Sequence, residues 1–159
     1  MAVFLKLDGI EGESQDRGHA KEIDVSAWSL GVTNSGSGHA GGGGGFAGRA
    51  TFTDLSVTKV LDKASPALLL AVATGRHIRT ARLTVTSGGP RPVEYLTVDL
   101  DDVLVTACLL ADPADPDRPA ENVSFQYAKI RVSYSPQSPT GGAGTPSTFG
   151  WDVVRNTPI

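Results

Sequence analysis

The sequence predicts a mainly-β domain, a sandwich or barrel that carries one short helix. Three observations predict it. Runs of β-forming residues recur along the chain between Gly, Pro and Asp turn clusters; a single stretch has both helix start and stop signals; and a long glycine-rich segment lies between two strand-like runs. Alternating βαβ units would need a helix after most strands, so an open parallel sheet is excluded.

Val3 to Leu7 reads as a strand, and Asp8-Gly9 turns out of it into a polar loop, Glu11 to Glu22. Ile23 to Thr33 is rich in β formers, with Ile23 and Val25 alternating against Asp24 and Ser26 and a change of face near Ala27. Arg49 to Val60 returns to strand composition. Ser35 to Gly48 therefore joins two strands as the tip of a long hairpin, and 36–48 reads as a glycine-rich extended loop. Its five consecutive glycines, Gly41 to Gly45, either stay mobile or order against something else, because glycine loses the most backbone entropy on ordering.

The helix is expected from Ser65, a good N-cap, with Pro66 at the first helical position, Ala67 to Ala73 propagating it and Gly75 ending it. Leu68, Leu69, Leu70 and Val72 make it apolar nearly all round, so it should plug a sheet or a barrel end. Strands then resume. His77 to Ser87 alternates as a half-buried strand, and Gly88-Gly89-Pro90 turns. Val93 to Leu100 and Val103 to Leu110 are expected as two strands paired as neighbours across an Asp101-Asp102 break. Asp112 to Ala120 is a loop, since three prolines in nine residues forbid regular pairing. Val123 to Tyr134 changes phase near Ala128, which suggests a β-bulge. Residues 135–148 read as a Pro/Gly-rich linker to a terminal strand, Phe149 to Val154.

At 159 residues and a net charge of -3, the chain fits a single domain, 1–159, with no basic segment to track a nucleic-acid backbone. The lone Cys108 excludes an internal disulfide and reads as a small buried hydrophobe. The amino terminus has no basic n-region and no small-residue cleavage site, so no signal peptide is expected. The longest apolar run, Ala67 to Ala73, is far shorter than the ~20 residues that span a bilayer, so no membrane insertion is expected.

Chemical motifs fail on context. Gly36, Gly38 and Gly41 satisfy G-x-G-x-x-G, but the segment leads into a strand, whereas a pyrophosphate site needs a helix amino terminus there. His19, His39 and His77 are scattered without ligand spacing and read as surface or loop histidines. Asp112, Asp115 and Asp117 lack the glycine and terminal glutamate of a calcium loop. There is no G-x-S-x-G elbow, and Cys108 lies in an apolar strand that disfavours a thiolate. No cofactor, metal or catalytic residue is expected.

Blocks spaced along the whole chain carry a resemblance. Gly12-Glu13-Ser14, Glu22-Ile23-Asp24-Val25, Trp28-Ser29, the glycine loop, Asp54 to Lys59, Leu61-Asp62-Lys63-Ala64-Ser65-Pro66, Thr74-Gly75-Arg76-His77, Val93-Glu94-Tyr95 and Phe149-Gly150-Trp151 strongly resemble the haemolysin-coregulated (Hcp) proteins of type VI secretion. The Asp-Lys-Ala-Ser-Pro block is the most diagnostic, and the proline-rich Asp112 to Ala120 loop departs from the usual pattern.

The resemblance implies a β-barrel of two sheets flanked by the helix, a homo-hexameric ring, and rings stacked into a hollow tube. A contractile sheath would propel the tube behind a VgrG spike, and the bore would carry effector proteins. Assembly is then expected in the bacterial cytoplasm, followed by export without a signal peptide. Under this reading Gly38 and Gly41, Gly42, Gly43, Gly44 and Gly45 are candidates for the subunit or ring contact. Ser29, with neutral Thr and Ser positions of neighbouring strands, is the candidate for the lumen wall, because a bore that passes varied cargo should be polar without strong charge. The alternative is a tail-tube subunit of a phage-like contractile particle. An effector enzyme fused to a tube subunit would carry an added domain, for which a chain ending at Ile159 leaves no room.

Overall fold

A computed structural model describes residues 1–36, 48–112 and 119–159. Eleven strands and one helix follow one another: β1 (Ala2–Leu7), β2 (Ile23–Val25), β3 (Ala27–Ser29), β4 (Val32–Asn34), β5 (Ala50–Phe52), β6 (Leu55–Val60), α1 (Ser65–Thr74), β7 (His77–Thr86), β8 (Glu94–Ala111), β9 (Ala120–Tyr134), β10 (Ser147–Asp152) and β11 (Thr157–Pro158). The sheet order is β11-β10-β9-β8-β7-β1-β2, with β6 also on β9 and β3 on β6, all antiparallel; β4 and β5 form a separate two-stranded sheet. The path curls almost into a barrel. Its two ends, β2 and β3, are consecutive strands joined through Ser26, so strand pairing does not close it.

Leu5, Ile23, Leu55, Leu83, Leu100, Phe125 and Ile130 form the centre of one core, and Leu68 and Ala71 of α1 pack into it. Only one stripe of the helix is covered, because Leu69 and Leu70 stay 42% and 59% exposed. The helix therefore flanks the body and leaves an apolar side outward. Its carboxy-terminal stop is as expected: Gly75 takes a left-handed conformation at φ 67°, where its N–H donates to Val72 O.

Four sequence expectations are corrected. Ser65 is not the N-cap; Ala64 holds that position without a side-chain cap, and the Ser65 side chain turns into the protein. Residues 94–111 form one strand, not two neighbours, because β7 on one side and β9 on the other carry the ladder past Asp101. Near Ala128 there is a change of face but no bulge. Burial passes from Ile78 to Ala81 in β7, from Val103 to Leu100 in β8 and from Tyr127 to Ile130 in β9 without loss of register, so three strands turn over on a common line. Asp102, with φ 50°, sits on that line.

Length supplies the reason. Eighteen extended residues span roughly 60 Å, against roughly 40 Å for a compact chain of this size, so β8 must bend, and its partners bend with it. The one register irregularity between β8 and β9 lies at Thr106. The last correction is His19, which lies in the loop between β1 and β2 but not at the surface: it is buried and stacks on Phe4 at 4.4 Å, with Nδ1 2.9 Å from Glu22 and Nε2 3.0 Å from Glu94.

Candidate assembly and lumen surfaces

The bend gives the molecule two outward sheet faces of opposite character. On the first, β3, β6 and β9 place Ser29, Ser56 and Ser124 in one row and Ala27, Thr58 and Asn122 in the next. Between the rows Trp28, Val57 and Val123 point to the core, as strict alternation requires. The outward groups bond among themselves: Thr58 Oγ1 donates to Asn122 Oδ1 at 2.8 Å, and the Ser56 and Ser124 hydroxyls lie 3.4 Å apart. Neither row contains a charge. Ser29 is exposed at the β3 end, so the structure brings this residue together with the neutral Ser and Thr positions of its neighbours.

The second face is built of charge. Lys6, Arg82, Asp99 and Arg131 follow one another across β1, β7, β8 and β9. Arg82 grips Asp99 with two donors at 2.6 and 3.1 Å, Arg131 reaches Asp101 at 3.1 Å, and these side chains line an open groove with Asp8 and Thr80.

Gly38 and Gly41 to Gly45 lie outside the described residues, as does 113–118 of the proline-rich loop. The root of their hairpin is described. Val32 pairs Phe52, Thr33 pairs Thr51 and Asn34 pairs Ala50, and below them Thr53 N–H donates to Gly31 O and Gly31 N–H to Thr53 Oγ1. Tyr127 Oη donates to Thr53 O at 2.8 Å; burial, then the Asp54 carboxylate, pushes its phenol up to about 12, so it remains a donor.

A buried ionic cluster, missed in the sequence, fastens the start of α1. Lys59 Nζ lies 2.6 Å from Glu121 Oε2, 2.8 Å from Asp62 Oδ1 and 3.2 Å from Ser65 Oγ, with Lys59 and Glu121 only 1% and 0% exposed. Ser65 Oγ donates to Glu121 Oε2 at 2.5 Å, and Cys108 Sγ donates to Glu121 Oε1 at 2.9 Å. Burial alone would raise the Glu121 carboxyl, but hydrogen bonds from Cys108, Lys59 and Ser65 hold it below its ordinary value. Burial, then the Glu121 hydrogen bond, pushes the Cys108 thiol up to about 12. The signal was present: Lys59 shares the inward register of Leu55 and Val57, and Glu121 that of Val123 and Phe125. Two opposite charges on inward positions of paired strands foretell a buried pair.

Comparison with known proteins places this arrangement. Residues 4–134 match the family model described as type VI secretion system effector, Hcp. The chain is 44% identical to protein hcp1 of Pseudomonas aeruginosa over 156 residues, covering 97% of this chain and 96% of that protein. A solved structure of a type six secretion system protein superposes with a TM-score of 0.92 at 29% identity, covering 99% of both chains. Hcp1 from Salmonella typhimurium does so with 0.80 at 29% identity, covering 99% and 98%. The tube-terminating cap of an anti-feeding prophage, at 7% identity and a TM-score of 0.55, shares the fold alone.

Proposed function

The chain belongs to the Hcp family of type VI secretion system proteins, and we propose that six copies close into a ring whose bore is walled by the Ser29, Ser56 and Ser124 face. It is a type VI secretion tube protein, and rings stack into the hollow tube. The observation that carries the bore assignment is the contrast between the two faces. A passage for varied cargo needs hydroxyls and amides that exchange water readily, and it must avoid both apolar adhesion and a strong field. The first face meets that need at its Ser, Thr and Asn positions, with Leu109 beside Asn122 as the one large apolar side chain of the two rows among the described residues, whereas the Lys6, Arg82, Asp99 and Arg131 face suits an outer wall.

In this assembly the glycine segment, Gly38 and Gly41 to Gly45, reaches the neighbouring subunit or ring, where residues without side chains can lie flat. The partners are further copies of the chain, effector proteins in the bore, a VgrG spike at the tip and a contractile sheath outside. The rings form in the bacterial cytoplasm and leave through the secretion apparatus. The role is structural and transporting.

Light scattering should show a particle about six times the 16.5 kDa monomer, as a closed ring of heterologous contacts requires. Ser29→Arg should leave that mass unchanged while co-purified cargo falls sharply, because it places one positive charge per subunit on the wall. A monomer at high protein concentration sinks the ring; unchanged cargo in S29R rings sinks the bore assignment.

A further inference from the structure

The arm formed by β4 and β5 shares no strand pairing with the main sheet among the described residues. Its junction with the body is irregular. Ser29 pairs Ser56 and Val32 pairs Phe52, so three steps on one strand face four on the other, and past the Gly31–Thr53 bond Asp54 and Leu55 together face Leu30. Such an insertion bends a ribbon and frees its direction from the ladder below. Something else must aim the arm.

One side chain of the arm root packs on the body. Phe52 meets Phe149 at 6.4 Å with planes 24° apart, Trp151 at 6.4 Å and 32°, and Tyr127 edge-on at 6.4 Å and 81°. Phe149 and Trp151 both belong to β10, the strand near the carboxy terminus. Gly150 between them lets the chain end close in: a Cβ there would lie 2.8 Å from Ile159 O. Among the described residues the buried Trp151 indole N–H has no hydrogen-bond partner, and packing holds this side chain.

We propose that the Phe52, Phe149 and Trp151 stack is the shoulder that aims the arm, making β10 a positioning element for the contact between rings. The contact rests on the tube reading above; the aiming of the arm does not. Phe149 and Trp151 act through Phe52 and need touch no neighbour themselves.

The test uses the full chain in the Cys108→Ser background, with spin labels at Thr51→Cys on the arm and Gln126→Cys on the body. Labelled chains are diluted into unlabelled ones, and the distance distribution is read together with tube length in electron micrographs. Phe149 is 43% exposed, so Phe149→Ala should fold. It should raise the fraction of arms outside the native distance about tenfold, the effect expected when an aromatic contact is removed, and Phe149→Tyr should restore the narrow distribution. A narrow distribution in both Phe149→Ala and Phe52→Ala overturns the shoulder. A broad distribution with tubes of normal length supports the shoulder and refutes the arm as a ring contact.

Discussion

Lys59 is the residue on which the most depends. Its ammonium is shared by Glu121 and Asp62, and Ser65 ties the same carboxylate to the first turn of α1. Removing one partner strands a buried charge, so Lys59→Met should cost about 3–5 kcal/mol in denaturant unfolding, and Lys59→Met with Glu121→Leu should recover most of it. Glu121 titrates below its ordinary range when folded, so its stabilising share is complete above that range and is lost as pH falls through the lower folded value. Glu121→Gln should flatten the acid limb of a stability curve. Cys108 reports on the same cluster. Raised from 9.0 to about 12, its thiol should react with alkylating reagents at pH 8 roughly 1,000-fold more slowly than in the unfolded chain. Equal rates would contradict the burial of the thiol beside Glu121.

Among the elements, β10 has one position, Gly150, with no room for a side chain. A methyl on Gly150 would press on Ile159 O at 2.8 Å and Ile159 Cγ1 at 3.1 Å. Gly150→Ala should therefore lower stability by about 1–3 kcal/mol, seen as a drop of several degrees in Tm. An unchanged Tm would show that the chain end lifts off freely. The helix was legible in the residues, since Pro66 and Gly75 mark its two ends, but its capping was not: Ser65 has the right chemistry for a cap, and burial beside Glu121 claimed its hydroxyl instead. The single strand β8 was also hidden. Asp101-Asp102 breaks local strand propensity, and only pairing to both neighbours keeps the ladder running.

At the scale of the molecule, the leucines left outside matter most. Leu69 and Leu70, neighbours on the outward side of α1, are 42% and 59% exposed in one copy and offer an apolar surface for a second copy to cover. Leu69→Asp with Leu70→Asp should leave the Tm of the chain almost unchanged, as surface substitutions generally do, while lowering the ring fraction at a given concentration at least about tenfold. Rings that persist at wild-type concentration would place the subunit contacts elsewhere. The same scale explains the two faces: the bent β9 runs through both, giving Ser124 and Asn122 to the hydroxyl rows and Arg131 to the charged ladder, so a single chain can present different chemistry on two sides.

The sequence by itself determined the mainly-β class, the single helix and its stop, the hairpin root on either side of the glycines, and the family. Each is written in local periodicity, turn chemistry or ordered blocks of residues. The tertiary structure alone decided that β8 runs unbroken, that three strands turn over together, that His19 is buried on Phe4, and that Phe52 rests on β10. Those outcomes depend on partners 15 to 97 residues away along the chain, from Phe4 and His19 to Phe52 and Phe149. No local pattern encodes such a distance, because the energy resides in the meeting of the two segments and not in either one.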